Sequence, residues 1–445
     1  MIFGWRRNRN NGGKKKKKQE AGKSNNLEEL VIPNDFICPI SLQLMKDPVT
    51  LSSGITYDRE NIEAWLEAGN FTCPVTNQIL RSFDQIPNHS LRKMIQNWCV
   101  DNQNYGIQRI PTPRVPVSPI QISDVLSSLE AATKRLDQFE CLDLIQKINS
   151  WANESHRNKS CIVANGASAS LAATFDAFAT HNSFETNAKV FEEILSTMNS
   201  LTFPLDMETQ FYLGSNNSLR CMFWLLESRD RISSKHNSIS ALKKILSSDQ
   251  QYAEALASIE GVNIEVLCRF IKEPISPTMT KASLMVIFYL LSTHSSSSDK
   301  IKSALVEMGL VSLLIEIIID SERSTCEKAL GVFDKLCDWK QGREEAYGNA
   351  LTWPVLVKKI LRVSQLATEY SVSSIWKLHK CGRQERVLVE CLQVGAFQKL
   401  VLLLQVGCSD DTKEKATELL KVMNPYRDGS ECIDSLDFKN LKRSF

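Results

Sequence analysis

Residues Val31–Asn102 read VIPNDFICPISLQLMKDPVTLSSGITYDRENIEAWLEAGNFTCPVTNQILRSFDQIPNHSLRKMIQNWCVDN, and the rest of the chain is organised around them. Two loops set a Cys-Pro pair before an apolar residue, at Cys38-Pro39-Ile40 and Cys73-Pro74-Val75. Between them, Pro48–Leu51, Ser52–Gly54 and Ile55–Tyr57 read as strand, turn and strand, with Gly54 supplying the turn conformation. Asp58 suits the N-cap of a helix over Arg59–Ala68, whose Ile62, Trp65 and Leu66 share one stripe and which Gly69 ends. A third short strand is expected around Ile79-Leu80. A second helix is expected over Ser90–Asp101, with Leu91, Met94, Ile95, Trp98 and Cys99 on its inner face.

A core of about seventy residues usually needs a staple. The thirteen cysteines do not offer a metal one: the closest pair, Cys381 and Cys391, is ten positions apart, and no C-x-x-C occurs. A zinc ribbon or RING site is therefore not expected. The polar residues Asp35, Ser41, Asp47, Ser53, Asp58, Asn77 and Asn88 are the candidates for a hydrogen-bonded scaffold in its place.

Outward from this segment the character changes. The chain has 445 residues, 43% hydrophobic and 23% charged, enough for two or three domains. The net charge of +2 hides an asymmetry. Residues 1–23 hold nine Lys/Arg against Glu20 alone, so that piece is +8 and the remainder −6. Residues 1–30 read as a disordered basic leader, in which Lys14–Lys18 is a candidate nuclear import signal or anionic patch. No secretory apolar region follows Met1, and Ile2 excludes myristoylation. The longest apolar run, Leu284–Leu291, is far short of a membrane span, so no integral membrane segment is expected. The expected home is a reducing compartment with the cysteines mostly in cores.

Pro111, Pro113, Pro116 and Pro119 make residues 106–120 a semi-rigid linker. From there to residue 425 the pattern is helical, beginning with Val125, Leu129, Ala132, Leu136 and Phe139. Gly166, Gly214, Gly261, Gly309, Gly348 and Gly395 each fall near a turn that opens an apolar helix, at intervals of 48, 47, 48, 39 and 47. A period in the forties with two or three helices per unit fits an armadillo or HEAT solenoid; a non-repetitive helical bundle is the alternative. Residues 426–445 read as a C-terminal tail.

Six ordered motifs then carry a resemblance: Ile37-Cys38-Pro39-Ile40, Met45-Lys46-Asp47-Pro48-Val49, Ser53-Gly54-Ile55-Thr56-Tyr57-Asp58-Arg59, Trp65, Cys73-Pro74-Val75-Thr76 and Ile86-Pro87-Asn88. Together they resemble a U-box, the zinc-free relative of the RING domain found in ubiquitin ligases, with its domain over 31–105. Glu322–Cys337, Gly342-Arg343 and Trp353–Ile360 are similar to the armadillo region of plant U-box ligases, most of all their elicitor-responsive, defence-related subgroup. The implied fold is a small α+β U-box followed by an all-α armadillo-type solenoid over 121–425.

The resemblance implies the chemistry. The U-box would bind an E2 enzyme charged with ubiquitin, through Ile40 and Leu42 of the first loop, Trp65 of the helix and Pro74 of the second loop. Asn77 falls where the family often places a polar or basic residue touching both E2 and ubiquitin; it is Asn here, not Arg. Asp47, Ser53, Tyr57, Asp58 and Asn88 would be scaffold. Restraining the flexible conjugate in an attack-ready geometry supplies rate without a catalytic side chain. Neither a Cys-His nucleophile pair nor a phosphate-binding G-x-x-x-x-G-K-[ST] loop is present, so no covalent ubiquitin–E3 intermediate and no cofactor are expected. The partners implied are the charged E2 and a protein substrate held by residues 121–425, with self-association open. The implied setting is defence or stress signalling, in the cytoplasm and also in the nucleus through Lys14–Lys18. Two other readings compete: an armadillo scaffold or adaptor with an inactive U-box, and a nucleic-acid factor working through the basic leader, the less expected of the two.

Overall fold

The structure, a computed structural model, describes residues 32–110, 116–181, 183–228, 231–293, 296–380 and 384–429. The basic leader with Lys14–Lys18 and residues 430–445 lie outside the described residues. The chain divides into two compact units at Val115/Pro116.

In the first unit, β1 (Pro48–Thr50) is the middle strand of a three-stranded antiparallel sheet, flanked by β2 (Thr56–Asp58) and β3 (Ile86–Pro87). Val49 faces Tyr57 on one side and Pro87 on the other. Gly54, at φ +77°, lets the β1–β2 connection close, with its amide on the Leu51 carbonyl at 2.9 Å. Helix α1 (Arg59–Glu67) ends before Gly69, also at positive φ, and α2 (His89–Asp101) is capped by Asn88, which accepts from Leu91 N at 3.0 Å. Phe36, Met45, Val49, Tyr57, Ile62 and Ile95 fill the core with Cys38, Cys73 and Cys99.

Three local expectations change. The third strand is Ile86–Pro87; Ile79 forms only an isolated bridge with Thr72, because it belongs to the returning arm of a turn. Met94 is 57% exposed, since Ile95 and Cys99 already fill the narrow buried stripe of α2. The start of the proline-rich stretch packs back on this unit: Ile110 is buried in its core and Ile107 leans on it.

The second unit begins with α3 (Pro119–Lys134) and α4 (Gln138–Glu154). Ser118 and Gln121 cap α3 reciprocally, and Pro119 occupies its first turn, where a missing N–H costs nothing. Six three-helix layers follow among the described residues. They are α5 (His156–Ala164), α6 (Ala167–His181) and α7 (Phe184–Leu201), then α8 (Met207–Leu213), α9 (Asn216–Glu227) and α10 (Ile232–Leu246). Next come α11 (Gln250–Ser258), α12 (Glu265–Lys272) and α13 (Pro277–Leu291), then α14 (Ser296–Glu307), α15 (Leu310–Asp320) and α16 (Arg323–Leu336). The last are α17 (Lys340–Gly348), α18 (Thr352–Lys359) and α19 (Gln365–Lys380), then α20 (Gln384–Gln393), α21 (Ala396–Val406) and α22 (Asp410–Met423).

All six glycines read as the repeat mark fall at the joint between the first and second helix of a layer. Gly166, Gly261, Gly309 and Gly395 take φ between +75° and +83° there, a conformation that strains any side chain. Gly214 closes α8 at φ −82°, and Gly348 is the last residue of α17. The third helices, α4 and then α7, α10, α13, α16, α19 and α22, pack each against the next as one row.

Lysines tie successive layers together. Lys359 donates to the Ile319 carbonyl at 3.2 Å, and Lys399 to the carbonyls of Val357 and Lys358 at 2.9 and 3.1 Å. Lys377 donates to the Asp334 carbonyl at 2.9 Å, and Lys244 to that of Phe203. Lys359, Lys399 and Lys377 reach the C-terminal carbonyls of the equivalent helix one layer back, where the helix dipole favours a cation, and Lys244 reaches a carbonyl just past the end of α7. Among the described residues no single helix is long and apolar enough to cross a membrane.

Candidate functional site

The first unit contains one turn built twice. Phe36-Ile37-Cys38-Pro39-Ile40-Ser41-Leu42-Gln43-Leu44-Met45 aligns with Phe71-Thr72-Cys73-Pro74-Val75-Thr76-Asn77-Gln78-Ile79-Leu80, thirty-five residues on. The backbones repeat as well. Leu42 N donates to Cys38 O and Asn77 N to Cys73 O, both at 2.8 Å; Cys38 N donates to Gln43 O and Cys73 N to Gln78 O, also at 2.8 Å. The bridges Ile37↔Leu44 and Thr72↔Ile79 close the two arms. Leu42 and Asn77 share the same left-handed φ of 56°. Asn tolerates that conformation, whereas for Leu it costs about 1 kcal/mol.

Both turns hang from the same few residues at the end of β2 and the start of α1. Cys38 Sγ accepts from Asp58 N at 3.3 Å and from Asn61 Nδ2 at 3.6 Å, and Asn61 Nδ2 also donates to Ser41 Oγ at 3.1 Å. Tyr57 Oη lies 3.0 Å from Cys73 Sγ and accepts from Val75 N at 3.3 Å. Trp65 Nε1 donates to the Thr72 carbonyl at 2.9 Å, so the tryptophan braces the second turn while its ring packs on the core. The two thiols thus work as hydrogen-bond partners that tie each turn to this frame.

Their chemistry is tuned accordingly. Burial pushes the Cys73 thiol up, but hydrogen bonds from Ser53, Thr76 and Tyr57 outweigh it and bring the pKa down to about 6. Ser53 Oγ is buried without a geometric hydrogen-bond partner, so its dipole near Cys73 is its contribution. Cys38 is also lowered: burial opposes it, and the backbone amides of Asp58, Ser41 and Ile40 overcome the burial. Tyr57 is pushed well up by burial and by its Cys73 partner.

The charged scaffold holds the β1 end. Asp58 stands at the N-cap of α1 without capping it. Its carboxylate instead accepts from Lys46 N at 3.1 Å and Asp47 N at 2.7 Å. Asp47 pairs with Arg59 Nε at 2.7 Å, and Arg59 reaches Gln85 Oε1 at 3.2 Å. Asn88 adds a 3.4 Å bond to Thr50 Oγ1 and takes the Pro48 carbonyl with its own amide at 2.9 Å. Of the expected scaffold, Ser41, Asp47, Asp58 and Asn88 work through such bonds, Asn77 works through its backbone, and Asp35 is exposed.

The turn tips are what this frame presents. Leu42 is 76% exposed, Ile40 and Pro74 are half-buried, and Asn77 is exposed. Trp65 lies behind the second tip. Val75 was read as the apolar residue of the second loop but not among the docking residues, yet it is that turn's counterpart of Ile40 and is 52% exposed. Its signal was there to find, in the repeated Phe-x-Cys-Pro-[Ile/Val]-[Ser/Thr] spacing. Cys38 and Cys73 are fully buried, which removes both from any nucleophilic role.

A family model described as U-box domain matches residues 32–104, and one described as plant U-box protein ARM repeat region matches residues 121–443. U-box domain-containing protein 21 of Arabidopsis thaliana is 45% identical over 419 residues, 94% of each chain. U-box domain-containing protein 20 of the same plant is 41% identical, over 94% of this chain and 93% of its own length. A third Arabidopsis relative, E3 ubiquitin-protein ligase PUB22, is 34% identical, over 91% of this chain and 97% of its own. With a matching double turn at one end and glycine-jointed three-helix layers after it, the chain belongs to the plant U-box proteins with an ARM repeat region.

Proposed function

We propose that this chain is an E3 ubiquitin-protein ligase of the RING type, passing ubiquitin from a charged E2 to a lysine amine without a covalent ubiquitin–E3 intermediate. The observation that supports this best is the pair of turns with one backbone pattern hung from Tyr57–Asn61, which offers exposed apolar residues from a shared anchor. Ile40, Leu42 and Pro74 are the E2-docking residues, with Val75 added by its equivalence to Ile40. Asn77 supplies the polar contact at the second tip. Trp65 acts on docking through the Thr72 carbonyl that it holds. The contact surface is small, so E2 binding is weak and transient, and rate comes from restraining the conjugate rather than from acid–base groups. A thioester relay through Cys73 is disfavoured, acidic as that thiol is, because a relay needs an exposed sulfur.

The test is ubiquitin-chain formation by the purified chain with a cognate E2. Ile40→Ala and Pro74→Ala should each lower the rate about tenfold or more. Wild-type rates in both would remove the docking assignment. No chain formation by the wild-type protein with any E2 would leave an armadillo adaptor with an inactive U-box.

The helical layers hold the substrate in this reading, and the protein acts in defence or stress signalling, in cytoplasm and nucleus. A fluorescent fusion tests the last point: replacing Lys14–Lys18 by Gln should empty the nucleus of signal. Comparing elicitor responses of plants with and without the gene tests the first.

A further inference from the structure

The row of third helices is unevenly charged. α4 and α7 contain two lysines against six acids. α10, α13 and α16 contain seven basic residues against Glu327 and Asp334, a net +5 within a body that is −6 beyond residue 23. α10 and α13 have no acidic residue at all.

The open surface of α13 is aromatic. On α13 the stripe Lys281, Met285, Phe288 and Tyr289 is half-exposed while the residues between are buried. Phe288 and Tyr370 of α19 meet with ring centroids 6.4 Å apart, across the intervening α16. They meet because α16 has Gly331 there: a Cβ would come within 3.1 Å of the Tyr370 ring and 3.4 Å of Phe288. The aromatic floor is therefore continuous over three layers.

One lysine touches it, and a second is exposed on α10, the helix packed beside α13. Lys335 Nζ stands 5.7 Å from the Phe288 centroid, and Lys243 is exposed at the end of α10. Burial and the adjacent Lys243 charge both pull Lys244 down, which marks an excess of positive charge there. Among the described residues no carboxylate pairs with Lys243 or Lys335, whereas Lys281 is held by Glu322 and Lys377 by Asp334 and Asp338.

We propose that the patch between Lys243 and Lys335 takes an extended acidic segment of the protein to be modified, with carboxylates on the two ammonium groups and an apolar side chain on the Phe288–Tyr289–Tyr370 rings. The proposal rests on the reading that the helical layers hold the substrate. Neighbouring helices pack roughly 10 Å apart, so crossing from α10 to α16 takes about six extended residues. Ion pairs on the border set charge preference and encounter rate, and the rings supply apolar burial.

The experiment is fluorescence anisotropy of the full chain with a short labelled peptide alternating Glu and Phe. Saturable binding that weakens with added salt is expected, reduced about tenfold or more in K243E/K335E, with a matched Lys/Phe peptide left unbound. Unchanged affinity in K243E/K335E, or tighter binding of the Lys/Phe peptide, would overturn the proposal. So would an RNA oligonucleotide bound as tightly through the same two lysines. K243Q/K335Q answers the same question if the double reversal does not fold, with a loss of about threefold expected. Ubiquitin-chain formation by the wild-type protein is a separate readout: its absence breaks the ligase reading, while the peptide comparison alone decides the patch.

Discussion

The two units solve the same problem, holding a chain in register, by opposite means. The U-box has a small core and relies on a few polar bonds that are each used once: Asp58 to two amides, Asp47 to Arg59, and two thiols to Tyr57 and the α1 amide end. The helical layers repeat one modest device many times, glycine joints and lysines that cap the previous layer. Damage should therefore be all-or-none in the first unit and graded in the second. Repeat arrays add nearest-neighbour increments, whereas a single small core has none to spare.

Asp58→Ala is the sharpest way to break that contrast. It removes a buried carboxylate accepting two backbone amides, a loss of about 4 kcal/mol. The U-box should lose its cooperative transition and ubiquitin-chain formation together, while the melting of the layers stays put. Calorimetry that shows both units shifting equally would contradict the comparison. The matching change in the layers is Lys377→Met. Asp334 is 6% exposed and pushed up by burial, with Lys377 offsetting that cost, and Lys377 is itself raised because Asp334 outweighs its burial. Leaving Asp334 unpaired should cost about 3 kcal/mol. Urea titration should show the loss confined to the layers nearest α16 and α19, as a broadened transition with a lower midpoint.

A smaller effect follows from the thiols. Cys73 has its pKa lowered on folding, from near 9.0 to about 6. A group whose folded pKa is depressed adds stability above its unfolded value and loses it as pH falls through the folded one. U-box stability should thus rise between about pH 6 and pH 9, and Cys73→Ser should flatten the rise. Denaturant midpoints of the two proteins across that range measure it; parallel profiles would mean that the thiol is an ordinary core residue.

What could be read in advance differs between the units for physical reasons. The layer joints were legible because a positive φ selects glycine, so geometry left its mark as a residue type at Gly261, Gly309 and Gly395. The tips Ile40, Leu42 and Pro74 were legible only through motif order. The paired Cys-Pro loops were legible in the spacing, but their shared left-handed position was not, because it is Leu in one copy and Asn in the other and no single residue type marks it. Reading Ile79-Leu80 as a strand was a related miss, since an apolar pair in a returning arm looks like a strand. Cys38 and Cys73 read as apolar core, which their burial supports, but their acceptor role depends on donors twenty and sixteen residues away that spacing cannot reveal.

The duplicated turn offers the finest test, because its two copies are each other's control. Leu42→Asn places in the first turn the residue that the second already uses at φ 56°. Asn adopts that conformation at little cost, so the U-box should gain about 1 kcal/mol of stability. Leu42 is 76% exposed, so little core packing is given up in exchange. If the leucine is kept there for its apolar tip, ubiquitin-chain formation with the cognate E2 should fall although the fold is firmer. Asn77→Leu should do the reverse at the second tip, destabilising the turn by a similar amount. A Leu42→Asn protein that is both more stable and fully active would mean that the strain at Leu42 serves nothing at the E2 surface, and the first tip would then rest on Ile40 alone.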